Sequence, residues 1–156
     1  MSRPTMSHWL TAKRILRYLK GMTELGILYK KEEGNVKLLA FTDSGYAGDL
    51  DDRRSTSGYV FKIGHGAVSW SSKKQPVVTL STTEAEYIVA AFCACQCIWL
   101  KKILKTIGVK DNEGTEIQCD NSPAIQLSKN PVFHGQSKQI DVRFYFLRDL
   151  VKMMML

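Results

Sequence analysis

The sequence predicts one α/β domain in which helices cover a sheet of short strands. Three observations support this fold class. Residues 38–45 (LLAFTDSG) form an apolar, strand-forming run that ends in a carboxylate, a hydroxyl and a glycine. Residues 57–63 and 67–71 are two further strand-like segments around a glycine turn. Residues 81–107 form a long apolar segment that starts with a helix-capping sequence, and strands combined with such a helix are typical of α/β folds.

The composition is that of a soluble globular domain with one core. The chain has 156 residues, of which 44% are hydrophobic and 24% charged. We expect no membrane span and no signal peptide, because no segment approaches the required apolar length or layout. The formal net charge is +7, from 22 Lys and Arg against 15 Asp and Glu. A basic excess of this size favours a polyanionic partner, although many ordinary proteins share it.

The four cysteines predict a reducing, intracellular compartment. Cys93, Cys95 and Cys97 crowd one apolar segment, which is a poor layout for disulfides, and Cys119 lies apart from them. A zinc site is not favoured, because Cys95 does not share the helix face of the other two and no histidine is nearby. We therefore expect Cys93 and Cys97 to be small core residues.

The N-terminal part predicts a helix followed by a hairpin. Apolar residues recur at helical spacing in residues 7–19, and Gly21 marks the end. A second face of this helix is basic, through Lys13, Arg17 and Lys20. A solvated face is slightly favoured over a phosphate-binding one. Residues 25–31 and 36–42 are predicted to be two strands joined by a turn at Gly34 and Asn35.

Residues 45–56 form a polar loop that carries three acids, Asp49, Asp51 and Asp52. These acids could bind a metal, but two neighbouring arginines and the absence of a strand favour a solvated loop. His65 lies in the turn between the next two strands and is predicted to be exposed and inert. Lys73 and Lys74 form a basic corner beside Trp70, which suits either a nucleic-acid backbone or a plain turn.

The long helix carries two glutamates with different expected roles. Ser81 is the predicted N-cap, and Glu84 reaches back to the backbone in a capping box. Glu86 lies one turn before Ala90 and two before Cys93, on a stripe of small residues that would pack against a sheet. A carboxylate on such a buried face is costly unless it binds a metal or a base, so Glu86 is predicted to be functional.

The C-terminal third repeats the arrangement of a strand that delivers an acid to its end. Residues 116–119 are predicted to be a strand that leads to Asp120 and Asn121, and a helix follows at residues 122–128. Asp141 is predicted to begin a last helix. The alternative for Asp141 is a simple N-terminal helix acid, which stabilises by about 0.3–1 kcal/mol.

Four acids from separate elements therefore stand out: Asp43, Glu86, Asp120 and Asp141. Hard divalent cations such as Mg²⁺ bind carboxylate oxygens and phosphate substrates. Two such ions, about 3.5–4 Å apart, activate water and stabilise the leaving oxygen of a phosphodiester. The four acids predict this chemistry.

The sequence resembles the ribonuclease H domain of the Pol polyprotein of copia-type retrotransposons. The resemblance is carried in order by HWLTAKRILRYLKG, FTDSGYAGDLDDRRSTSGYVF, VSWSSKKQPVVTLSTTEAEY, IQCDNSPAIQLSKNPVFHG and SKQIDVRFYF. It implies a ribonuclease H-like fold, with a mixed five-stranded sheet flanked by helices. It also implies cleavage of the RNA strand of an RNA–DNA hybrid with two Mg²⁺ ions, for which Mn²⁺ can substitute.

Carried over residue by residue, the resemblance makes all four acids catalytic metal ligands and gives His134, in VFHG, a part in proton transfer or product release. Gln139 stands where the family often has a histidine, which leaves any step that depends on that histidine in doubt. The expected nucleic-acid contacts are Lys73, Lys74 and Asn121.

The resemblance also divides the chain. Residues 1–22 are expected to be the tail end of the reverse transcriptase or connection region, and residues 23–156 the ribonuclease H domain with a short C-terminal helix. The expected partners are the hybrid and the reverse transcriptase domain of the same polyprotein, in the cytoplasm or nucleus. The alternative is an inactive remnant that binds nucleic acid or reverse transcriptase without cutting.

Overall fold

The computed structural model describes residues 4–30, 37–109 and 114–129. Within those ranges the chain forms three helices and four strands. In chain order they are α1 (Met6–Gly21), β1 (Leu38–Gly45), β2 (Thr56–Ile63), β3 (Gly66–Lys74), α2 (Thr82–Thr106), β4 (Glu116–Cys119) and α3 (Ser122–Lys129). Apart from α1, which contacts none of the other described helices and strands, the elements follow the apolar periodicities of the sequence, because they pack against one another.

The four strands form one mixed sheet in the order β3-β2-β1-β4. β1 and β2 are antiparallel, as are β2 and β3, whereas β1 and β4 are parallel. The α/β fold with a mixed sheet and flanking helices is therefore confirmed. The expected fifth strand does not occur within the described ranges and stays a prediction.

The predicted hairpin between residues 25–31 and 36–42 is wrong. Residues 25–30 have no regular structure. β1 pairs with β2 along one edge and with β4 along the other, so it has no edge left for a third neighbour. Instead, the hydroxyl of Tyr29 donates to the carbonyl oxygen of Ala67 at the start of β3.

The main core lies between α2 and the inner face of the sheet. Leu38, Ala40 and Phe61 point inward from β1 and β2 and pack against Cys93 and Cys97 of α2. Both cysteines are fully buried, and all four cysteines of the chain are free thiols. The prediction that Cys93 and Cys97 are small core residues is confirmed, because small side chains let the helix lie close to the sheet.

By length and composition alone, α2 is apolar enough to cross a membrane. The expectation that no segment approaches a membrane span was therefore too strong. The helix owes its hydropathy to the face that it packs against β1, β2 and β4. The core helix of a soluble protein has the same composition, so α2 is weak evidence for a membrane segment.

A small buried polar cluster fixes the start of α2 to the sheet. Gln75, which is 1% exposed, donates through Nε2 to the hydroxyl of Ser57 at 2.9 Å and to the carbonyl of Ala85 at 3.0 Å. The hydroxyls of Ser55 and Thr79 are hydrogen-bonded at 2.9 Å. Buried polar groups that are paired in this way specify one arrangement, here that of the first turn of α2 beside β2.

Candidate active site

Two glutamates near the start of α2 have different surroundings, and Glu84 belongs to the helix cap. The Ser81 hydroxyl accepts from the amide of Glu84 at 3.1 Å and so caps the helix. The Glu84 carboxylate turns back and accepts from the amide of Leu80 at 2.7 Å. The capping sequence is thus confirmed, with Leu80 rather than the cap residue as the donor to Glu84.

Glu86 points inward, as predicted, and is only 5% exposed. Its carboxylate accepts a hydrogen bond from the backbone amide of Ser44 and lies 3.8 Å from the Cys119 sulfur. No Lys, Arg or His side chain forms an ion pair with it within the described ranges. A buried carboxylate without a countercharge is unfavourable, so a cation bound beside Glu86 would stabilise its charged form.

The pKa of Glu86 lies above its ordinary value of 4.5. Burial is the largest cause, because it disfavours the charged form. The negative charges of Asp120 and Asp43 raise the pKa further, while the Ser44 amide opposes them. The three acids therefore share one electrostatic environment, as expected for clustered carboxylates.

Parallel pairing of β1 and β4 brings the ends of these strands to the same edge of the sheet. Ligand atoms of Glu86, Cys119 and Asp120 all lie within 4.8 Å of one another, so this group could hold a metal ion. Asp43 of β1 pairs with Gly58 of β2, is exposed, and is not a member of that group, although its charge acts on Glu86. The structure thus brings Glu86 and Asp120 together and leaves Asp43 as a neighbouring charge.

Cys119 is the site residue that the sequence analysis missed. It lies on the inner side of β4, next to Thr42 of β1 and across from Glu86. Burial raises the pKa of its thiol, and the charges of Glu86 and Asp120 add to this effect. Its position directly before Asp120 at a strand end was the available sequence signal.

Lys74 is not a free basic side chain. β3 extends to Lys74, whose ammonium forms ion pairs with Asp49 at 2.5 Å and Asp52 at 2.9 Å. The hydrogen bond from Lys74, with those from two backbone amides, lowers the pKa of Asp49 to about 2. These contacts fix the 45–56 loop against the sheet. Lys73 is exposed and forms no ion pair within the described ranges.

Asn121 has a structural task. Its side-chain oxygen accepts from the amide of Ala124 at 2.9 Å and caps α3, which begins at the next residue. His65 is exposed at the turn between β2 and β3, as expected. His134 and Asp141, the remaining predicted site residues, lie outside the described residues.

Comparisons with known proteins agree with the fold and the polyprotein resemblance. The chain is 42% identical over 151 residues to the retrovirus-related Pol polyprotein from transposon TNT 1-94 of Nicotiana tabacum, which is 97% of this chain. It is 43% identical over 153 residues to the corresponding protein from transposon RE2 of Arabidopsis thaliana. The chain spans 11% and 10% of the lengths of these polyproteins. No protein-family model matches it.

A further relative has a different name. The secreted RxLR effector protein 161 of Plasmopara viticola is 44% identical over 99 residues, which are 64% of this chain and 69% of that protein. Among solved structures, the N-terminal RNase H domain of Rv2228c from Mycobacterium tuberculosis superimposes with a TM-score of 0.52. Its sequence identity is 14%, and 76% of each chain is covered. At that identity the likeness shows the ribonuclease H-like fold alone.

Proposed function

We propose that this chain, which is similar over 97% of its length to the retrovirus-related Pol polyproteins of two plant transposons, hydrolyses the RNA strand of RNA–DNA hybrids. The observation that carries the proposal is the buried Glu86 carboxylate beside Asp120 at the edge of the sheet. It has no cationic partner within the described ranges. A catalytic site that cleaves phosphodiesters with metal ions needs carboxylates that are not already paired with basic side chains.

The carboxylate oxygens of the site are suitable ligands for Mg²⁺, whereas its sulfur atom is not. Glu86 and Asp120 offer carboxylate oxygens within reach of one cation, and the Asp43 charge adds to the same field. The Cys119 thiol is a soft donor and would not be a Mg²⁺ ligand. When bound, two Mg²⁺ ions would supply a water-derived nucleophile and stabilise the leaving oxygen.

In this proposal Asp43, Glu86 and Asp120 hold the metal ions, and Asp141 completes the shell of one of them. His134 assists proton transfer or product release. Binding of the hybrid uses phosphate contacts from basic side chains and 2′-hydroxyl contacts to the RNA strand. Of the three candidates, exposed Lys73 is better suited to a phosphate than ion-paired Lys74 or Asn121, whose side-chain oxygen caps α3.

We also propose that the chain contains parts of two domains, with α1 in the first of them. α1 contacts none of the other described helices and strands, and none of its residues is buried. Trp9, Leu10 and Leu16 are each more than half exposed. An isolated helix of this length is marginal in water, so α1 is suited to pack on another part of a polyprotein. We assign residues 1–22 to the reverse transcriptase side, residues 23–156 to the nuclease, and both to a reducing intracellular compartment.

A matched pair of variants tests the proposal. Purified protein with Mg²⁺ should cut the RNA strand of a labelled hybrid, and a chelator should stop it. Glu86→Gln should lower the cleavage rate more than about 100-fold, since losing a direct ligand exceeds the usual effect of outer partners. Glu84→Gln should remain active, because Gln can still accept from Leu80. Equal rates for Glu86→Gln and the unaltered protein would refute the assignment.

The second candidate function is a remnant that binds without cutting. The exposed position of Asp43, outside the group formed by Glu86, Cys119 and Asp120, favours it. The same assay distinguishes the two candidates, because a remnant would retain the hybrid on a gel at every Mg²⁺ concentration and leave the RNA intact.

A further inference from the structure

Cys119 gives the acidic site a second kind of donor atom. Its sulfur lies 3.8 Å from Oε2 of Glu86, and ligand atoms of Glu86, Cys119 and Asp120 lie within 4.8 Å of one another. From metal–ligand bond lengths of about 2.3 Å to sulfur and 2.1 Å to oxygen, two ligands of a tetrahedral zinc ion lie about 3.6 Å apart. The observed spacing therefore suits one small cation that takes both atoms.

The burial of Glu86 is a second reason to expect a cation at this point. Glu86 is 5% exposed, and within the described part of the chain its carboxylate is met by the Ser44 amide and the Cys119 thiol, not by a positive charge. A buried anion of this kind is stabilised by a bound cation. The Cys119 side chain is half-buried, which leaves the site accessible to an ion from solvent.

We propose that Glu86, Cys119 and Asp120 bind one soft divalent cation, such as Zn²⁺ or Cd²⁺, and that this ion blocks Mg²⁺-dependent cleavage. The Cys119 sulfur binds as the thiolate, and its proton passes to solvent. Thiolate ligands select zinc-like ions over Mg²⁺, which prefers oxygen ligands in octahedral geometry. The binding stands on the site geometry, and only the inhibition rests on the proposed nuclease function.

Binding is tested optically, without substrate. Metal-free protein is titrated with Cd²⁺, and the ultraviolet charge-transfer absorption of a cadmium–thiolate bond is recorded. We expect a saturable band in the unaltered protein and its loss in Cys119→Ser. Cys95→Ser is the matched control, since Cys95 is exposed on α2 and should leave the band unchanged. An equal band in Cys119→Ser and the unaltered protein would overturn the proposal.

A second variant guards against misfolding of Cys119→Ser. Asp120→Asn keeps the thiol but removes one carboxylate, so the band should persist while Cd²⁺ affinity falls more than about ten-fold. Unchanged affinity would exclude Asp120 and refute the three-ligand site. Circular dichroism of each metal-free variant verifies the fold.

Inhibition is measured as cleavage of hybrid in Mg²⁺ with added Zn²⁺. The concentration that halves the rate should rise more than about ten-fold in Cys119→Ser, and not in Cys95→Ser. A cadmium band without any cleavage in Mg²⁺ would refute only the nuclease function. Normal cleavage without a cadmium band would refute only the soft-ion site.

Discussion

Glu86 is the residue on which the proposed chemistry of this domain depends. It occupies a helix face made otherwise of small apolar side chains, and it is buried without a countercharge within the described ranges. Its neighbours within reach are another acid and a thiol, so this group could hold a metal ion. Stability of the metal-free protein is therefore expected to depend on the protonation of this one carboxyl.

The first prediction follows from the raised pKa of Glu86. Folding favours the protonated form of Glu86. The contribution of this group to stability is therefore fully present below the ordinary pKa of 4.5 and is lost as pH rises from there through the folded-state pKa. In chelator, Glu86→Gln should be more stable than the unaltered protein at neutral pH, and the difference should narrow as pH falls toward 4.5. Urea unfolding between about pH 4 and pH 8 measures this.

The matched control is Glu84→Gln, whose side chain can still accept the hydrogen bond from Leu80. It should show the pH dependence of the unaltered protein. A Glu86→Gln variant that is less stable at neutral pH in chelator would mean that the carboxylate stabilises the fold, contrary to a metal-binding role.

At the scale of the elements, the end of β3 holds the 45–56 loop beside the site edge. Lys74 pairs with Asp49 and Asp52, and Asp49 Oδ1 in turn accepts from the amides of Asp51 and Asp52 at 2.9 and 3.1 Å. The ordering of this loop comes from ion pairs between the loop and a strand. Of the two adjacent lysines of β3, only Lys74 forms ion pairs with this loop within the described ranges.

The second prediction distinguishes those lysines. The amides of Asp51 and Asp52 should exchange slowly with solvent and lose protection in Lys74→Gln, but not in Lys73→Gln.

The same loop should respond to pH. Because the pKa of Asp49 is lowered, the stabilisation of the loop by the Asp49 carboxylate is complete above the ordinary pKa of 3.8 and is lost as pH falls from there through about 2. Hydrogen exchange followed by NMR over that range measures it.

Binding to the hybrid supplies the complementary measurement. Lys73→Gln should reduce the slope of log affinity against log salt by about 0.9, the value for one phosphate contact. Lys74→Gln should change the slope less, because its charge is already paired. A larger effect from Lys74 would show that nucleic acid displaces the loop acids.

At the scale of the whole molecule, the described elements differ in how much of their apolar surface they bury. The sheet and α2 enclose the core, whereas α1 leaves large apolar side chains in solvent. Leu16 is 64% exposed and Leu38 is 1% exposed. The unfolding free energy should therefore reside in the sheet and α2 and not in α1.

The third prediction tests this division with two equal truncations. Leu38→Ala should cost about 2–5 kcal/mol of unfolding free energy, as for buried leucines. Leu16→Ala should stay within about 0.5 kcal/mol, as for exposed positions. Urea denaturation of both variants measures the difference. A cost for Leu16→Ala comparable to that of Leu38→Ala would show that α1 packs on the domain and would refute its assignment to the reverse transcriptase side.

The sequence by itself determined the elements that depend on local periodicity and capping. The alternation of β1 and β2, the capping residues of α2 and the inward face of Glu86 all follow from positions a few residues apart. The prediction of a strand at residues 25–31 was wrong, because the local pattern carries no information about which edges of β1 are already paired.

Only the tertiary structure decided which side chains meet across long separations. Cys119 and Glu86 are 33 positions apart and touch because β4 pairs in parallel with β1 under α2. Lys74 is held by loop acids more than twenty positions before it, and Gln75 reaches both a strand and the helix. Such contacts depend on the strand order and register of the sheet, and these are set by the packing of the whole domain and not by any single segment.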